Sequence, residues 1–156
     1  MAKVYATPWH RYKYLLSGLI LILPVVFLYQ SMNPVFPDAL PEQTIGDFVV
    51  APMPFDLESP YQHDGVYVKD FLLTFKAGNI ANIRQAVLNI GEQPITLESI
   101  NMSKGEEGFL HGSRHGQHVH GLASEHIRVQ DSIWLTIEQW DGETHTVSWE
   151  VPAAML

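Results

Sequence analysis

The sequence predicts a mainly β protein held on a single N-terminal transmembrane helix, its strands packed as a small antiparallel β-sandwich of the immunoglobulin-like kind. Three observations predict this. An uncharged apolar run follows a basic start, stretches of alternating apolar and polar residues fill the rest of the chain, and turn residues separate those stretches. At 156 residues the chain has room for one core and no second enzyme-sized domain.

The helix comes first. Residues 1–13 contain Lys3, Arg11 and Lys13, whereas residues 14–32 contain no charge at all. That run lies within the roughly 17 to 25 residues that a bilayer-spanning helix needs. Trp9, Tyr12, Tyr14 and Tyr29 are placed for the two interfaces, and Pro24 predicts a kink that a membrane helix tolerates. The next basic residue after the run is Lys69, so the positive-inside rule puts the N-terminus in the cytoplasm of a bacterial inner membrane and the remainder in the periplasm. No A-x-A-like site follows the run, which favours an uncleaved anchor over a signal peptide.

Residues 33–64 contain Pro34, Pro37, Pro41, Pro52, Pro54 and Pro60. Such spacing predicts a stiff extended connector that lifts the domain off the membrane and includes one short strand at 44–50.

The domain proper is predicted over residues 65–156. Tyr67, Lys69, Phe71, Leu73 and Phe75 fall on one side of a pleat and Val66, Val68 and Leu72 on the other. Ala77, Gly78 and Asn79 mark a turn, after which Ala86, Leu88 and Ile90 share a face. Further strands are predicted at 95–102 and 122–130, with a hairpin joining 132–140 to 144–151. A three-residue loop ending at Glu143 would pair Ile137 with Val147, Leu135 with Trp149 and Ile133 with Val151, giving one continuous apolar face.

Charge and composition narrow the function. After Met32 there are 6 basic residues against 17 acidic ones, a formal charge of 6 minus 17, or −11. That surface disfavours nucleic acid and favours a cation or a basic partner. The absence of cysteine excludes disulfides, thiolate metal sites and a cysteine nucleophile. There is no G-x-S-x-G, no H-E-x-x-H and no phosphate-binding glycine loop, so no enzyme activity is predicted.

The informative segment is 110–121, LHGSRHGQHVHG, expected as a histidine-rich loop. It places His111, His115, His118 and His120 within ten residues, with His126 just beyond. Neutral imidazole suits zinc or copper above all, and also nickel or cobalt, when three or four rings converge. If 117–121 is extended, His118 and His120 point to the same face and can share one ion. Glu106, Glu107 and Glu125 are the nearby carboxylates available to orient the rings. His145 is expected at the core edge with Val147 and Trp149, His63 in a turn before Asp64 and Gly65, and Met53 or Met102 as a remote thioether.

The expected function is therefore a membrane-anchored periplasmic metal-binding protein serving metal uptake, delivery or metalloenzyme assembly, beside a transporter or metalloenzyme complex. The alternative is a non-catalytic accessory or assembly subunit of an inner-membrane complex, with the histidine segment as contact surface or pH switch.

Overall fold

A computed structural model describes residues 8–99, 105–113 and 116–156, apart from the side chains of residues 10 and 11. The chain divides into two units, Met1–Val35 and Phe36–Leu156.

In the first unit, helix α1 spans Pro8–Met32. Pro8 suits the first helical position, where its missing N–H would have no intrahelical partner. Within α1, the 21 residues Tyr12–Met32 are long and apolar enough to cross a membrane. The helix stops where the Asn33 side chain donates to the Tyr29 carbonyl and Pro34 follows.

The second unit is a nine-stranded sheet: β1 Gln43–Ile45, β2 Phe48–Pro54, β3 Tyr61–His63, β4 Val66–Ala77, β5 Ile83–Gly91, β6 His111–Ser113, β7 Gly116–Ala123, β8 Ser132–Gln139 and β9 Thr144–Glu150. Hydrogen bonding runs in the order β1-β2-β4-β7-β5-β8-β9, with β3 also on β4 and β6 also on β7. All pairings are antiparallel except one parallel contact between β5 and β7 at Asn89 and Leu122. The Gln43 side chain on β1 donates to the Ser148 carbonyl on β9 at 2.6 Å, so the sheet nearly closes on itself. A mainly β domain is thus present, and its strands are joined in one sheet where two separate ones were expected.

The concave side is the core. Phe48, Val50, Phe71, Leu73, Leu88, Val119, Ile133, Leu135 and Ile137 are buried there, each at alternate positions of its strand. Trp149 closes one end and donates its indole N–H to the Pro41 carbonyl at 2.7 Å.

Several local expectations are corrected. Residues 33–64 supply three strands, and Phe48 and Val50 of β2 are fully buried. Proline is tolerated in β2 because the Pro52 carbonyl, and with it the missing N–H, faces Leu40 and not β4. The strand expected at 95–102 is absent among the described residues. The buried Asn89 side chain accepts from the Ile95 N–H and donates to the Gln93 carbonyl, turning the chain into a 3-10 turn at Leu97–Ser99. The strand expected at 122–130 ends at Ala123 instead, and Asp131 caps the following turn by accepting from the Arg128 N–H. Where a histidine-rich loop was expected, residues 111–113 form β6 and residues 116–121 belong to β7, which lies between β4 and β5.

The β8–β9 hairpin has the expected three-residue loop, but one residue earlier, at 140–142. It therefore pairs Ile137 with His145, Leu135 with Val147 and Ile133 with Trp149. Gly142 at φ 89 explains the choice, since the last loop position needs a left-handed residue.

Candidate metal centre

The site is built on β7. Val119 points into the core with no exposure, so its neighbours His118 and His120 must both point outward. Across the β4–β7 ladder His120 lies opposite Asp70 and His118 opposite Leu72. On the other side of β7, His118 lies opposite His111 of β6. Gly112 makes that short hairpin possible, because at φ 136 any Cβ there would sit 2.4 Å from the Gly116 carbonyl oxygen. The segment leading into β6 is anchored by Phe109, which is buried and bridges to Val87.

Three imidazoles from two strands therefore converge, and one ring nitrogen from each of His111, His118 and His120 lies within 4.8 Å of the others. His111 Nδ1 is 3.2 Å from the Phe109 carbonyl and donates to it, so the lone pair is on Nε2. That Nε2 is 3.0 Å from His118 Nδ1. Two nitrogens bound at 2.0 to 2.1 Å to one tetrahedral ion stand about 3.3 Å apart, so this pair is already near ligand spacing. The His118 ring is almost perpendicular to both others, at 86° to His111 and 85° to His120, which lets lone pairs approach one point from different directions.

Asp70 holds the third ring. Its Oδ1 accepts from His120 Nδ1 at 2.6 Å, leaving Nε2 as the ligand atom. This is the carboxylate–histidine arrangement that fixes the tautomer and raises ligand basicity in metal sites. Tyr61 on β3 in turn donates to Asp70, with its hydroxyl 3.2 and 3.0 Å from the two carboxylate oxygens. Burial, and then that hydrogen bond, push the Tyr61 hydroxyl up to about 12, so it remains a donor throughout the physiological range. Burial and then the charge of His120 lower the His118 pKa, against the opposing pull of Asp70, and favour the neutral form that binds metal. The Phe55 ring, 5.4 Å from that of His118, makes one wall apolar.

Of the residues singled out from sequence, His111, His118 and His120 come together. His115 lies outside the described residues, as does Met102. His126 is exposed in the turn after β7 and is not part of the group. The supporting carboxylate is Asp70, while Glu107 pairs with His63 at 3.2 Å, Glu125 bonds Tyr67 and Glu106 is exposed. His145 sits at the core edge, 3.4 Å from Glu143, and Met53 lies on β2 opposite Leu72. Sequence reasoning missed Asp70 and Tyr61. A polar residue on the solvent side of a strand is ordinary, and only the pairing of β4 with β7 distinguishes this one.

A family model described as uncharacterised conserved protein UCP029505 matches residues 8–152, and the chain belongs to that family. No curated protein and no solved structure matches it.

Proposed function

We propose that this member of the family is a membrane-anchored metal-binding protein, with its N-terminus in the bacterial cytoplasm and its β-domain in the periplasm. In this reading His111, His118 and His120 bind one transition-metal ion for uptake, delivery or metalloenzyme assembly. The observation that carries it is the convergence of three imidazoles, one of them backed by Asp70. Lys3, Arg11 and Lys13 ahead of an uncharged span support the orientation.

An all-nitrogen set without thiolate suits zinc or copper best, with nickel or cobalt as further candidates. Three protein ligands leave a position open for water or for a donor from a partner. His118 and His120 keep 27% and 22% of their side chains exposed, so an ion can enter and leave without unfolding the strands. That suits a carrier working beside a transporter or a metalloenzyme complex. The excess of acidic residues after Met32 draws cations toward the same unit.

The test is calorimetric titration of the full chain in detergent micelles, freed of chelator, with Zn²⁺, Cu²⁺ and Ni²⁺. A binding phase tighter than about 1 μM, roughly 8 kcal/mol, should vanish when His118 and His120 are both replaced by alanine. Millimolar heats that the double substitution leaves unchanged would reject the reading in favour of an accessory subunit.

A further inference from the structure

Beside the three-histidine group lies a second set of potential ligands. His63 Nδ1 is 3.2 Å from Glu107 Oε1, and one ligand atom from each of His63, Asp64 and Glu107 lies within 4.8 Å of the others. The three come from two separate parts of the chain. His63 ends β3, Asp64 begins the two-residue turn into β4 with φ 45 ahead of Gly65 at φ 87, and Glu107 lies on the segment leading to β6. The Glu107 side chain is only 11% exposed. Gly105 makes room for it, since a Cβ there would meet the Glu107 carboxylate at 2.0 Å.

His63 cannot simply be a fourth ligand to the first ion. Its ring is stacked on His120 with centroids 5.1 Å apart and planes only 15° from parallel. The lone pair of an imidazole nitrogen lies in the ring plane, so an ion bound at 2.0 to 2.1 Å lies near that plane. An ion in one of two stacked planes lies out of the other. The perpendicular rings of His111 and His118 differ in just this respect.

We propose that His63, Asp64 and Glu107 form a second divalent-cation position, separate from the three-histidine position and adjacent to it. One imidazole and two carboxylates make a harder donor set than three imidazoles, suited to zinc, nickel, cobalt or manganese and poorly suited to copper(I). The His63 side chain is 41% exposed, against 22% for His120, so the second position is the more accessible of the two. It binds more weakly and exchanges faster. The inference extends the three-histidine reading, but it rests on different residues.

Zinc stoichiometry tests it. The full chain in detergent micelles is stripped with a chelator, then titrated with Zn²⁺ by native mass spectrometry and calorimetry, with circular dichroism confirming that each variant keeps its β signal. Two zinc ions per chain are expected. The weaker is lost in both Glu107→Gln and His63→Ala while the tighter remains, and His111→Ala does the reverse. A single ion that is lost in His111→Ala and kept in both other variants overturns the second position and leaves the first standing. A single ion with the opposite response overturns the three-histidine reading and keeps this one, and no zinc at all overturns both.

Discussion

Along β4 and β7 successive residues point to opposite faces, and the two faces hold different chemistry. Phe71, Leu73 and Val119 lie inside at 0%, 1% and 0% exposure. Asp70, His118 and His120, interleaved with them, keep 23%, 27% and 22% of their side chains exposed on the outer face. The inner face sets the position of the strands, and Asp70, His118 and His120 use that position while staying partly exposed, although Val68 on the same side of β4 is buried. Loss of fold and loss of ligand are therefore separable by substitutions only one residue apart.

The largest effect should come from the inner face. Phe71→Ala removes a fully buried ring from the cluster with Val50, Leu73 and Val119, and should destabilise the domain by about 3 to 5 kcal/mol in thermal or urea melts. A loss below about 1 kcal/mol would mean that this face is not the core. Next comes Asp70→Asn on the outer face, which keeps the shape but removes the charge behind His120. Zinc affinity at the three-histidine position should fall about 10- to 100-fold, while the ion-free melt drops less than in Phe71→Ala. Unchanged affinity would remove Asp70 from the site.

Lys69 crosses the division, and the smallest predicted effect concerns it. Lys69 lies on the inner side at 2% exposure, where its ammonium donates to the Asp56 carboxylate and, at 2.7 Å, to the Glu58 carbonyl. Partial burial raises the Asp56 pKa, but the Lys69 hydrogen bond, the Glu58 amide and the Lys69 charge outweigh it and hold the carboxyl below its ordinary 3.8. Because the folded value is the lower one, the pair stabilises above pH 3.8 and that contribution is lost as the pH falls through the folded value. Asp56→Asn should therefore melt below the wild type near neutral pH, and the gap should close as the pH falls below 3.8 and through the folded value. A gap independent of pH would show that Asp56 acts through shape and not charge.

Much of this arrangement is legible locally. The alternation of Tyr67, Lys69, Phe71, Leu73 and Phe75 marks β4 and its inner face, and a spacing of two residues puts His118 and His120 on the same side of any strand that contains them. The β8–β9 register shows where such reasoning stops. Shifting a pairing by two residues preserves every inward and outward choice, so apolar continuity cannot separate Val147 from His145 as the partner of Ile137. The left-handed backbone at Gly142 separates them.

By itself the sequence determined those features that rest on neighbours along the chain. These are the uncharged span within α1, the pleated alternation of the strands, the shared face of His118 and His120, and the acidic balance after Met32. Only the tertiary structure decided what depends on strand order. It set β7 between β4 and β5, brought Asp70 to His120 across 50 residues and His63 to Glu107 across 44, and left His126 outside the group. The physical reason is that a strand's period of two fixes which face a side chain occupies, whereas its partner across the ladder is fixed by the packing of the whole sheet.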